Sequence, residues 1–182
     1  MTYLATEDLA AGLDHVRNSP KDDGRVELIV RRPAEKQREV LEEARLDVDG
    51  GLLGDGWSVR GSKRNGGVPD PSRQLTLMNA RAAALVAGTT DHGGLAGDQL
   101  YVDFDLSGEN IPPGTRLQIG DAVIEVSDAP HTGCAKFSAR FGLDALRFVN
   151  SPAGRELNLR GINTKIVESG TVRPGDPIRK LL

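Results

Sequence analysis

The segment Asp128-Ala129-Pro130-His131-Thr132-Gly133-Cys134-Ala135-Lys136-Phe137 concentrates the side chains best suited to chemistry. It contains Cys134, the single cysteine of the chain. Thr132 or Gly133 is placed to cap a helix that starts there, which puts Cys134 at its N-terminal end. Free backbone N–H groups and the helix dipole favour negative charge at that position. His131 and Lys136 add positive charge nearby. All three effects favour the thiolate, the form that attacks electrophiles, carries sulfur or binds a soft metal. The competing reading is a small buried core residue, the commoner fate of a lone cysteine. A Pro-His-Thr-Gly-Cys turn is not an apolar run, and that favours function.

Other candidates are weaker. Asn110, in Gly108-Glu109-Asn110-Ile111, offers a donor and an acceptor to a ligand, or is simply a turn residue. Arg155, Arg160 and Lys165 flank Gly161, with Arg140 and Arg147 upstream, and read either as an anion site or as a solvated face. The three histidines, His15, His92 and His131, show no zinc-type spacing with the one cysteine. His15 reads as a surface helix residue and His92 as a loop residue. A Cys-His hydrolase built on Cys134 has no further support. Trp57, after Gly54-Asp55-Gly56, reads as a core or lid residue.

These residues need elements to position them. Leu9, Leu13 and Val16 are spaced for a helix over 6–16, capped by Thr6. Val26, Leu28 and Val30 alternate as a half-buried strand. The segment 37–46 reads as helical on Val40, Leu41 and Ala44. The polar stretch 60–73 is a long loop, read as a functional flap or a mobile insertion. Strands are expected at 74–78, 100–106, 116–119, 122–127 and 161–167, with a last one at Ile178. An alanine-rich helix over 79–86 should stop at Gly88. Short helices are expected over 135–140 and 144–149.

The bulk composition bounds the rest. The chain has 182 residues, 38% hydrophobic and 27% charged, the balance of one globular domain. Its 22 glycines and 10 prolines suit short strands and turns. A net charge of −3 with no basic run argues against nucleic acid as the main partner. One cysteine, no long apolar run and acids right after Met1-Thr2-Tyr3-Leu4 lead to the expectation of a cytoplasmic protein without a membrane span. The expected architecture is β-rich mixed α+β, a β-barrel core with a few short covering helices, as 1–24 N-terminal helical extension and 25–182 main domain.

As an ordered series, several pieces resemble the MOSC family, the C-terminal domain of molybdenum cofactor sulfurases and its free-standing bacterial relatives. They are Gly51-Leu52-Leu53-Gly54-Asp55, Gln74-Leu75-Thr76-Leu77, Gly108-Glu109-Asn110-Ile111 with Gly114 and Ile119-Gly120, Pro130 to Cys134, Arg160-Gly161, and Gly170-Thr171-Val172-Arg173-Pro174-Gly175-Asp176. Together they run through residues 25–181. The resemblance implies a mixed-strand barrel and an association with the molybdenum cofactor (molybdopterin). It implies that Cys134 ligates molybdenum or carries sulfur, and that relatives with reductase activity act on N-hydroxylated compounds. Asn110, His131, Thr132, Lys136, Arg155 and Arg160 are the residues expected to meet the cofactor. Many relatives have Pro-Arg-x-Pro-Cys where this chain has Pro130-His131-Thr132-Gly133-Cys134. No segment reads as a desulfurase domain with a pyridoxal phosphate site or as a ferredoxin-type cysteine cluster. A redox or sulfur-donor partner would be another protein. The alternative is a non-catalytic module that binds a small ligand or a protein without thiol chemistry.

Overall fold

In the computed structural model, which describes residues 3–62, 65–89 and 94–181, seven strands close on themselves. These are β1 (Gly24–Arg31), β5 (Leu75–Asn79), β6 (Leu100–Asp103), β7 (Arg116–Ile119), β8 (Ala122–Val126), β9 (Ile162–Glu168) and β11 (Pro177–Lys180). The circuit runs β1-β6-β5-β9-β8-β7-β11 and back to β1. Only β5 and β6 are parallel. A parallel neighbour requires a crossover, and helix α4 (Ala80–Ala87) makes it. Asn79 caps that helix by accepting from Ala82 N, and Gly88 ends it in the left-handed region at φ +68. Outside the barrel, β2 (Glu39–Val40) extends the sheet from β1, and β3 (Ala44–Asp47), β4 (Gly51–Leu52) and β10 (Gly170–Val172) form a small second sheet.

β5 and β6 are buried on both faces, whereas β7 and β11 alternate between buried and exposed positions. Leu75 and Leu77 of β5 point into the barrel with Val26, Leu100, Phe104, Ile124 and Ile178. Met78 and Tyr101 point outward, under a helical layer that includes Leu9, Val86, Phe137, Phe141 and Val149. That layer comprises α1 (Thr6–Ala11), α2 (Leu13–Arg17), α4 and α5 (Ala135–Asn150). With Leu9 and Val16 in the same cluster as Met78, the N-terminal helices dock on the barrel. No helix among the described residues is long and apolar enough to cross a membrane.

Four local expectations are corrected. The segment 37–46 is not helical: it supplies β2 and β3, where Ala44 and Leu46 alternate inward while Val40 is 66% exposed. The apparent helical spacing was coincidence between two strands. The N-terminal helix breaks at Gly12, and its N-cap is Ala5, not Thr6. In β1 a register shift between Val26 and Leu28 changes the phase, so Val26 and Ile29 face the barrel while Leu28 and Val30 face the helices. The described part of 60–73 carries structure of its own: Trp57–Arg60 is a helical turn (α3), and Asp70 caps a 3-10 turn over Pro71–Arg73. His92 lies outside the described residues. As expected, the segment after Cys134 is two short helices in effect, because Gly142 at φ +87 breaks α5.

Truncating Leu77, which is fully buried, should create a cavity. Leu77→Ala is expected to lower unfolding free energy in urea by about 2–5 kcal/mol. Val59→Ala, at a position 82% exposed, should change it by less than about 0.5 kcal/mol.

Candidate functional site

Cys134 is the N-cap of α5 and is exposed. Its carbonyl accepts from Phe137 N and Ser138 N, which fixes the first turn. The preceding turn is clamped from the other end of the same helix. Asn150 Oδ1 accepts from Gly133 N at 2.9 Å, and Asn150 Nδ2 donates to Gly133 O at 3.2 Å. A Cβ at Gly133 would meet Leu146 Cδ1 at 2.8 Å and Val149 Cγ2 at 2.9 Å, so the close approach requires glycine.

The thiol opens into a cleft of about 700 Å³. Seven cationic side chains line it: Arg32, Lys36, Arg38, Arg60, Lys136, Arg140 and Arg160. Among the described residues, Glu35 is the one lining carboxylate. Three of the guanidinium groups gather on Gly97. Its carbonyl accepts from Arg32 Nη1 at 2.7 Å, and a Cβ there would stand 3.3 Å from Arg140 Nη1 and 3.8 Å from Arg38 Nη2. Burial and the neighbouring Arg140 and Arg32 push the Arg38 guanidinium below its ordinary value. Burial and Arg32 do the same to Arg60. Arg38 Nε and Arg160 Nε are buried without a hydrogen-bond partner among the described residues. A crowd of like charges with unspent donors is built to receive an anion.

Two buried carboxylates hold this crowd in place. Asp55 accepts from Arg32 Nε at 2.9 Å and Arg32 Nη2 at 3.0 Å, and Arg60 Nη2 lies 3.4 Å away. The backbone N–H groups of Arg32 and Trp57 also donate to Asp55. Asp98 accepts from Arg160 Nη1 at 2.6 Å, while Arg160 Nη2 donates to Ala96 O at 3.0 Å. The Tyr101 hydroxyl accepts from the backbone N–H of Gly97 and Asp98, which fixes the loop carrying Asp98. Burial, with Asp98 close by, raises the Tyr101 phenol well above its ordinary value, so it remains a neutral hydroxyl. Arg160 also lies over the Phe137 ring, 5.2 Å from its centre, and so supports the first turn of α5 from below.

His131 sits behind this wall. Its Nδ1 is 3.5 Å from Asp98 Oδ1, and neither atom makes a hydrogen bond among the described residues. Burial pushes the imidazole down to about 4, against the opposing pull of Asp98 and with help from Arg160 and Arg73. The ring is therefore neutral at physiological pH, which corrects the expectation that it adds positive charge beside Cys134.

Of the expected residues, Cys134, Lys136 and Arg160 come together in one cleft. Arg155 lines a separate pocket on the other side of His131. Thr132 is exposed in the loop before Cys134. Asn110 lies outside the cleft: its Nδ2 donates to Asp105 O and Lys21 O, and its Oδ1 accepts from Lys180 Nζ. Lys165 pairs with Glu125, and Arg147 with Asp144. Sequence reasoning missed Arg32, Arg38, Arg60, Asp55, Asp98 and Asn150 as site residues. Asp55 stood in the Gly54-Asp55-Gly56 turn, and a buried acid in such a turn was the available signal. Asp98 in Gly97-Asp98-Gln99 gave a similar one. The arginines gave none.

A family model for the MOSC domain matches residues 70–179. The chain belongs to the MOSC domain family. Among solved structures, the YuaD protein from Bacillus subtilis is 16% identical, with a TM-score of 0.64 over 85% of this chain and 93% of that one. YiiM from Escherichia coli is 21% identical, with a TM-score of 0.55 over 87% and 70%. YiiM from Geobacillus stearothermophilus is 11% identical, with a TM-score of 0.53 over 90% and 75%. At such identities the likeness is one of fold. No curated protein matches the chain. The matched stretch holds Cys134, Asp98 and Arg160, whereas Arg32, Arg38, Arg60 and Asp55 lie ahead of it.

The imidazole gives a pH test. His131 is held near 4 in the fold against about 6.5 when unfolded, so between those values the unfolded chain binds the extra proton. Stability should therefore be full above about pH 6.5 and fall as pH drops toward 4. In urea titrations across this range His131→Gln should show a shallower fall than wild type. Equal slopes would contradict the assignment.

Proposed function

We propose that the cleft beside Cys134 binds molybdenum cofactor, with the Cys134 sulfur ligating molybdenum or carrying a sulfur atom. The observation that carries this reading is an exposed thiol opening into a cleft of about 700 Å³ lined by seven cations. Family membership supplies the link to this cofactor. The donor set fits it. Guanidinium and ammonium groups match a phosphate, the unpartnered Nε atoms of Arg38 and Arg160 have hydrogen bonds to give, and a thiolate suits a soft metal.

When bound, the cofactor would supply two-electron chemistry at the metal, suited to reduction of an N-hydroxylated small molecule or to sulfur transfer. The chain's own residues do the rest. Arg38, Arg140, Arg160 and Lys136 hold the anionic part and screen its charge. Asp55 and Asp98 keep Arg32 and Arg160 from following the ligand into solvent. Asn150 and Phe137 keep the Cys134 turn in place. The one cysteine cannot hold an iron–sulfur cluster, so electrons or sulfur would come from a separate protein.

The test is metal and pterin content after purification from a host that makes the cofactor. Wild type is expected to retain both, and Cys134→Ser, lacking one anchor, to keep less of both through purification. Arg38→Gln combined with Arg140→Gln should lose both, most sharply at high salt. A wild-type protein that binds no pterin even when supplied with cofactor would overturn the reading. So would a Cys134→Ser variant that holds metal and pterin as wild type does.

A further inference from the structure

Arg32 and Arg60 have a second side. Behind them lies a smaller compartment of about 380 Å³, which Trp57, Arg73, His131 and Asn163 also line. We infer that this compartment binds a flat monoanionic molecule, an aromatic carboxylate that also carries an O–H or N–H donor. The inference deepens the proposed function by giving the class of substrate. It rests on that reading only for the claim that the molecule bound here is the one transformed.

The charge count selects a monoanion. Arg32, Arg60 and Arg73 face the compartment, with Asp70 among its walls and Asp55 paired to both Arg32 and Arg60. Among the described residues, three cations against two carboxylates leave one positive charge, which one carboxylate neutralises. Arg73 keeps one donor unspent. Its Nη1 donates to Pro130 O at 2.9 Å and its Nε lies 3.5 Å from Asp70, which leaves Nη2 without a partner among the described residues.

The hydrogen-bonding edge is set by His131. Its Nδ1 is buried 3.5 Å from Asp98 Oδ1, a carboxylate oxygen that a proton on Nδ1 faces more favourably than a lone pair does. A neutral imidazole with its proton on Nδ1 presents Nε2 as an acceptor. Asn163 spends its Nδ2 on Ala129 O and Pro130 O, which leaves Oδ1 as a second acceptor. Two acceptors call for a donor on the ligand. The half-buried indole of Trp57, tethered by its Nε1 to Asp70 O, gives the compartment a flat wall.

Trp57 is the single tryptophan, so its indole N–H gives one cross-peak in a ¹⁵N-correlated spectrum of the full chain. 4-Hydroxybenzoate is expected to shift that peak saturably. The neutral 4-hydroxybenzamide, and benzoate without the hydroxyl, should each bind about ten-fold more weakly or worse. Arg73→Gln should weaken 4-hydroxybenzoate by about ten-fold and Arg73→Lys by less, while Cys134→Ser and Arg140→Gln leave it unchanged. Three results would overturn the inference: equal binding of the amide, equal shift and affinity with inorganic phosphate, or loss in Arg140→Gln as large as in Arg73→Gln. The last would place the anion in the cysteine cleft. The titration does not need cofactor, so its failure and the failure of the cofactor reading are separate results.

Discussion

The ion pair between Asp98 and Arg160 organises the site from inside the protein. Asp98 is fully buried, and Arg160 meets it at 2.6 Å. An ion pair in such a place stabilises little by itself, because desolvation offsets most of the attraction. Losing one partner is another matter, at about 3–5 kcal/mol for the charge left behind. The pair thus locks the loop before β6 against the turn before β9. Phe137 lies against the same guanidinium, so the turn that presents Cys134 rests on it. His131 faces the other oxygen of Asp98, and the second compartment begins there.

The barrel makes this arrangement affordable. β5 and β6, buried on both faces, stiffen the frame, and the loop carrying Asp98 leads directly into β6. Guanidinium groups gathered in one cleft lose water and repel each other, and burial first, with the neighbouring arginines second, holds Arg38 and Arg60 below their ordinary values. Asp55 and Asp98 offset part of the repulsion from behind. An anion from solution would relieve the remainder. The site is therefore held ready in a state that binding improves, the usual form of electrostatic preorganisation.

How much of this the sequence discloses depends on distance along the chain. Local signals read well. Gly88 stopping α4, the hairpin of β7 and β8, and Cys134 at a helix start all depend on a few neighbours. The barrel itself read less directly, through the ordered glycine-rich turns that carry the family resemblance, and its strand order did not read at all. Two features misled. Val40, Leu41 and Ala44 match a helical period although they lie on two strands, because three apolar residues are too few to decide between periods. His131 read as a cation, yet burial makes it neutral in spite of the nearby Asp98 carboxylate. Arg32, Arg38 and Arg60 were illegible for a plainer reason. Each is an ordinary surface arginine by its neighbours, and only the closure of β1, the β2 edge and α3 over residue 134 brings them to the thiol. Asp98 likewise meets Arg160 across 62 positions of sequence.

The most direct test is molybdenum X-ray absorption on the cofactor-loaded protein, wild type beside Cys134→Ser. A sulfur scatterer present at the metal in wild type and missing from the variant is the predicted result. The same sulfur shell in both would contradict the account, because Cys134 would then be a bystander in its own cleft.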